Sequence, residues 1–250
     1  MRYFIQFSYL GKAYHGWQNQ PNAVTVQEVL EKALSTLLRD KVEVVGAGRT
    51  DAGVHAKEMY AHFDFDKITE VKELSYRLNA FLPDDIAIQS IISVKQNAHA
   101  RFDAVERTYE YWVVKEKSPF YFDFTHFVKH PLDIAAMNLS AQYLLEHKDF
   151  ECFSKSNTDV KTFICDVRKA SWELKEDKLV FTITADRFLR NMVRAVVGTL
   201  LDVGIGKTKP EEIKLILESK DRGKAGVSVP AKGLYLTKVS YPKDIFDEQE

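Results

Sequence analysis

The chain has 250 residues, 45% of them hydrophobic and 28% charged, and a net charge of −1, an ordinary balance for a globular protein with one large core or two smaller ones. No apolar run is long enough for a bilayer span, and "MRYFIQFSYL" alternates like a strand instead of carrying a signal-peptide cleavage pattern. Cys152 and Cys165, the only cysteines, suit neither a disulfide framework nor a zinc site, so the expected setting is a reducing cytoplasm.

Along the chain, "YFIQFSY" puts Tyr3, Ile5, Phe7 and Tyr9 on one face at period two, which predicts a strand. Thr25, followed three residues on by Glu28, is a capping box opening a helix. Its apolar stripe is Val26, Val29, Leu30, Ala33, Leu34 and Leu37. Strands at "VEVVG" and "YAHFDF", a helix around "VKELSYRLNAFL" and the strand "DIAIQSIISV" complete a first series.

A second series starts with the strand "RTYEYWVV". The aromatic stretch "KEKSPFYFDFTHFVKHP" has no clear period and suits a lid, a nucleic-acid contact or a partner surface. Next come a helix with Asp133 at its start, strands in "TFICDVRKASWEL" and "LVFTITAD", and the helix "FLRNMVRAVVGTLLDVG". A short helix near "PEEIKLILES" and the strand "LYLTKVSY" follow. Both series run β-α-β-β-α-β, the order of ferredoxin-like and RNA-recognition folds. The expected fold is α+β, in two related sheet-and-helix halves joined edge to edge, 1–105 and 106–250.

The stretch "VVGAGRTDAGVHA", residues 44–56, sets Arg49, Thr50 and Asp51 among Gly46, Gly48 and Gly53. A Walker loop needs Gly-Lys-Ser/Thr at its end, which is missing here, and an Asp at the tip repels phosphate. "GIGKT" at 204–208 has Leu201 where the earlier glycine belongs. Asp51 in a glycine turn is by default a cap or Asx-turn residue. Against that default stand Arg49 two residues away and glycines that allow a ligand to approach the backbone closely.

Arg187, Arg190 and Arg194 gather at the expected start of the helix containing Leu189, Met192, Val193, Val196, Val197, Leu200 and Leu201. Cations are disfavoured at a helix N-terminus, so the arrangement suits either an anionic partner or a solvated arginine face. With Lys207 and Lys209 opposed only by Asp202, residues 187–209 can form a basic face. The acidic residues gather in "FDFDKITE" and the tail "KDIFDEQE". Phosphate binding is thereby compatible with a nearly neutral chain. A metal cluster of Asp51, His55, His62 and Asp64 is a weaker candidate: His62 and Asp64 share a strand face, but no third ligand has a fixed spacing.

"GAGRTDAGVHA" resembles the signature of the TruA family of tRNA pseudouridine synthases, and four further stretches agree in order: "YHGWQNQPNAVTVQEVLEKAL", "HARFDAVERTYEYWV", "RFLRNMVRAVVG" and "PAKGLYLTKVSY". Residues 115–170 match only loosely. The resemblance implies one mixed eight-stranded sheet built from two pseudo-symmetric halves and flanked by helices, with the active cleft between the halves. It implies isomerisation of uridine to pseudouridine in the tRNA anticodon stem-loop, at tRNA positions 38–40, by a homodimer. The reaction oxidises nothing and transfers no phosphate, so neither a cofactor nor a metal is expected. Asp51 is implied as the catalytic carboxylate and Arg194 as its ion-pair partner. Tyr109 is implied to lie against the target base, Arg49 to replace the extruded base, and Leu234 to pack beneath the uracil. A non-catalytic RNA-binding module and a metal-dependent hydrolase are the competing readings.

Overall fold

The computed structural model describes residues 1–155 and 160–246; the last four residues of the acidic tail "KDIFDEQE" lie outside the described residues. The architecture is α+β, with nine strands and five α-helices among the described residues. Among the described residues no helix is long and apolar enough to cross a membrane. The chain divides into two compact units, one of Met1–Glu106 together with the segment from Tyr235 onward, the other of Arg107–Leu234.

The first unit contains β1 (Arg2–Tyr9), α1 (Val26–Leu38), β2 (Val45–Gly46), β3 (His55–Asp64), α2 (Val71–Phe81), β4 (Ile86–Val94) and all but the first residue of β9 (Leu234–Ser240). β1 lies antiparallel between β3 and β4. β2 pairs antiparallel to β3 at His62 and Ala61, and β9 pairs parallel to it at His55 and Ala56. The sheet is therefore mixed, and β4-β1-β3-β2 follows the ferredoxin-like order. The Thr25 hydroxyl accepts the Glu28 N–H at 3.3 Å, as the capping pattern requires, and α1 ends where Arg39 turns left-handed at φ 58°. β1 departs from simple alternation, because Phe4 is buried as well as Tyr3, Ile5, Phe7 and Tyr9. The C-terminal segment covers that second face: Phe4 packs with Val94, Ala98, Ala100 and Ile245, and its ring meets Tyr241 edge-on at 5.1 Å.

The second unit holds β5 (Glu106–Val114) from its second residue on, β6 (His126–Phe127), α3 (Ile134–Glu146), β7 (Val167–Lys175), β8 (Lys178–Ala185), α4 (Met192–Gly204) and α5 (Glu212–Ser219). β8 lies antiparallel between β5 and β7. β6 is the one strand that the sequence pattern does not anticipate. It is a two-residue parallel addition to β5 within the aromatic stretch, too short to impose a period. Asp133 caps α3 by accepting the Ala136 N–H at 2.9 Å. α4 is apolar on nearly every side and buried along most of its length.

Candidate active site

In the first unit the chain leaves β2 and enters β3 through a tight turn. The Val54 N–H donates to the Asp51 carbonyl at 3.2 Å, and Gly53 takes a φ of 78° inside it, a conformation that glycine adopts without strain. Asp51 opens this turn and is half-buried, while Arg49 is exposed. The neighbouring segment 11–17 grips the turn through main-chain groups. The Trp17 N–H donates to the Thr50 carbonyl and the Gly53 N–H donates to the Tyr14 carbonyl, both at 3.3 Å. The Tyr9 and Thr50 hydroxyls meet at 2.8 Å.

Three glycines make this approach possible, the first being Gly11, where a Cβ would lie 2.0 Å from the Val54 oxygen. Gly16 has φ +88°, and a Cβ there would lie 2.3 Å from the Thr50 oxygen. A Cβ on Gly46 would lie 2.5 Å from the Trp17 indole. Gly48 differs: nothing lies within 4 Å of a Cβ placed there. The expectation that the loop's glycines make room for a ligand therefore narrows to Gly48, because Gly46 and Gly53 already have internal reasons. The same segment is anchored to α1, whose first amides donate to it, Val26 N–H to Gly16 and Gln27 N–H to Trp17.

In the second unit α4 begins only at Met192, behind Asn191 in the left-handed conformation at φ 66°. Arg187 and Arg190 thus precede the helix, and of the three arginines only Arg194 lies in its first turn. The apolar spacing runs on through the non-helical Leu189, which is buried and accepts the Met192 N–H at 3.1 Å, so the pattern alone overextends the helix. Arg187 Nη1 donates to the Thr162 carbonyl at 3.3 Å, and the Arg190 side chain is exposed. Arg194 is half-buried. Its Nε donates to the Val229 carbonyl at 2.7 Å, and the Val229 N–H returns a bond to the Arg194 carbonyl at 3.2 Å. The Nε bond orients the guanidinium, and the main-chain bond ties Val229 to the start of α4.

Residues 225–229 are braced in turn by Arg222. Its Nη1 donates to Ala225 and Gly226 carbonyls at 3.3 and 3.1 Å, and its Nη2 to the Ser228 hydroxyl at 2.9 Å. The same hydroxyl accepts Asn191 Nδ2 at 2.6 Å. Tyr109, half-buried on β5, presents its ring at right angles to Phe188, 5.1 Å between centroids. Leu234 is buried and follows a 3-10 turn over Ala231–Gly233.

A model of the family described as tRNA pseudouridine synthase matches residues 5–103 and again 140–242. A protein named tRNA pseudouridine synthase A from Bacteroides thetaiotaomicron is 53% identical over 99% of this chain and 93% of its own length. A protein of the same name from Bacteroides fragilis is 50% identical over 98% of each chain. One from Thermoanaerobacter sp. is 42% identical over 95% of this chain and 98% of its own. The chain belongs to the TruA family of tRNA pseudouridine synthases.

Within this isomerase fold the other candidate ligands have separate tasks. His55 is buried, accepts the Gly11 N–H on Nδ1 at 2.9 Å and stacks on Tyr235 at 4.7 Å. His62 accepts the Ala100 N–H on Nδ1 at 3.1 Å. Burial, helped by the Arg2 charge and by His99, pushes its pKa down to about 4. Asp64 lies at the exposed end of β3, held by Arg2 through Nε at 2.8 Å and Nη2 at 2.7 Å. Among the described residues no three His, Cys, Asp or Glu side chains gather as a metal site. The aromatic stretch of the TruA-family chain exposes Phe120 and Phe122. Sequence reasoning missed the supports: Tyr14 and Trp17 lie in the family-like stretch "YHGWQNQ" but were given no role, and Arg222 and Ser228 lie in no motif. The one available signal was Gly16 beside Trp17 just ahead of a helix cap.

Proposed function

We propose that this chain isomerises uridine to pseudouridine in the tRNA anticodon stem-loop, at tRNA positions 38–40, with Asp51 as the catalytic carboxylate and no cofactor. The observation that carries the reading is the Asp51 turn itself: a carboxylate held on a rigid backbone turn, in a chain that belongs to the TruA family. The bond from uracil N1 to ribose C1′ breaks, the base turns, and C5 bonds to the same carbon. C5 gives up its hydrogen and N1 gains one, so the reaction is redox-neutral. Asp51 acts at the sugar or the base during this exchange.

Arg194 is assigned the cation that pairs with this carboxylate. Tyr109 is assigned the face of the target base, Leu234 the other side of the uracil, and Arg49 the space that the extruded base leaves. Base flipping costs a few kcal/mol, which a replacement cation offsets in part. Two pseudo-symmetric halves, with boundaries near 105 and one mixed sheet, are part of the same reading; the family model's double match supports it. So do the strand orders β4-β1-β3 and β5-β8-β7, each with the first strand of its series beside the third.

The chain is proposed to work in the cytoplasm as a homodimer with one tRNA touching both subunits. Cys152 and Cys165 are free and buried, their thiols pushed up to about 12 by burial, in keeping with a reducing compartment. A non-catalytic RNA-binding module gives Asp51 no task and is the weaker reading. The test is incubation with unmodified tRNA, without added metal, followed by carbodiimide mapping of pseudouridine. The expected result is modification confined to the anticodon stem-loop and lost in Asp51→Asn. No pseudouridine with wild-type protein refutes the reading, as does unchanged turnover in Asp51→Asn. Sedimentation with and without tRNA tests the dimer, and an active monomer binding tRNA one-to-one rules it out.

A further inference from the structure

We propose that Tyr14 is a positioning residue for the catalytic turn and that it acts through its hydrogen bond to Asp85; the kinetic part rests on the role given to Asp51 above. Tyr14 touches the turn with its main chain and the body of the unit with its side chain. Its carbonyl accepts the N–H of Gly53, two residues beyond Asp51. Its ring is buried, and its hydroxyl donates to Asp85 Oδ1 at 2.5 Å.

Asp85 is itself fixed. Its carbonyl accepts the Leu10 N–H at 2.9 Å, and it immediately precedes β4, which pairs with β1. A line of direct contacts therefore runs from the sheet through Asp85 and Tyr14 to the amide of Gly53. A hydrogen bond to a carboxylate is short and roughly twice as strong as one between neutral groups. Burial and the Asp85 carboxylate push the phenol pKa well above its ordinary value, so the hydroxyl remains a donor at any pH where the enzyme works. The second grip on the turn, from Trp17 to Thr50, lies on the other side of Asp51. Losing the Tyr14 grip loosens the turn at Gly53, between the Thr50 contacts and the start of β3 at His55. A displacement of about 1 Å at a reacting group costs on the order of a hundredfold in rate, so partial loosening gives about tenfold.

The test uses full-length Tyr14→Phe, Asp85→Ala, Asp85→Asn and the double variant Tyr14→Phe/Asp85→Ala, with two readouts. The first is the exchange rate of the Gly53 amide, measured by NMR on the protein alone. It is expected to rise in Tyr14→Phe and Asp85→Ala while amides in α1 stay protected, and to remain near wild type in Asp85→Asn, which keeps an oxygen acceptor. The second is single-turnover pseudouridine formation at saturating tRNA. The rate is expected to fall about tenfold in Tyr14→Phe and in Asp85→Ala and no further in the double variant, and to stay near wild type in Asp85→Asn, with tRNA affinity within twofold of wild type throughout. Unchanged Gly53 exchange in Tyr14→Phe overturns the proposal. So does additivity in the double variant, or a loss of tRNA affinity in place of rate. A wild-type protein that makes no pseudouridine sinks the proposed function, and the exchange readout still decides whether Tyr14 holds the turn.

Discussion

In the first unit the Asp51 turn is gripped by main-chain groups of segment 11–17, and that closeness depends on the missing side chains of Gly16 and Gly46. In the second unit Arg194 is held by its own Nε on Val229, in a segment braced by the Arg222 fork and the Ser228 hydroxyl. The difference teaches where each region is vulnerable. A main-chain clamp tolerates many side-chain changes but not an added methyl group at the point of contact. A side-chain network fails by ordinary truncation, because each lost donor strands a partly buried acceptor.

The largest expected effect lies outside both scaffolds. Asp51→Asn should keep the turn and its thermal unfolding while lowering turnover by about 10²- to 10⁴-fold, the scale of a positioned acid–base group. Stopped turnover accompanied by a lowered melting temperature would show instead that Asp51 serves the fold. Next is Gly16→Ala, which combines positive φ with a Cβ 2.3 Å from the Thr50 oxygen. About 2–3 kcal/mol of destabilisation is expected in denaturant unfolding, and a wild-type midpoint would break the clamp side of the comparison.

Acid probes another main-chain contact of the first unit, the Ala100 N–H on His62. The folded pKa of His62, about 4, lies below its unfolded value near 6.5. Between these values the unfolded chain binds the proton and the folded one does not, so stability is fully present above pH 6.5. It is lost as pH falls toward 4, by on the order of 3 kcal/mol. His62→Gln should flatten this part of the urea-midpoint profile against pH; an unchanged slope would assign the loss to other groups. Arg222→Ala comes next, with about 1–2 kcal/mol lost and slower turnover, whereas Lys224→Ala nearby should do neither. The smallest effect is at Gly48, where Gly48→Ala should leave stability within about 0.5 kcal/mol. Any loss of tRNA affinity in that variant marks the open space beside Gly48 as substrate space.

Sequence periodicity made the seven longer strands and five helices legible because each buries a face with a period of its own, and Thr25 and Asp133 marked two helix starts through their caps. It failed at α4, where Leu189 continues the apolar spacing while Asn191 turns left-handed. That conformation leaves no trace in a hydrophobic pattern. The glycines of 46–53 were visible as a group, but their reasons were not: one faces an indole, one takes positive φ, and one faces open space. Those distinctions depend on Trp17 and Gly16, which reach the turn only through tertiary packing. Arg222 was illegible for the same reason, since two of its acceptors are carbonyls, which are present at every residue, and the third is a lone serine hydroxyl.

The return of β9 to the first unit also bears on how the chain is made. Val239 donates its N–H to Glu58 Oε1 across 181 residues of sequence, and β9 pairs with β3 at His55 and Ala56. On the ribosome, β1 to β4 emerge early, but their sheet waits for its last strand until the whole second unit has been synthesised. Closure over such a span is late and entropically expensive. Until then the His55 end of β3 is an open edge, able to pair with the wrong strand. A premature stop anywhere between Arg107 and Leu234 would leave that edge permanently unpaired, so truncated chains should aggregate through the unit whose sequence they contain in full up to β4.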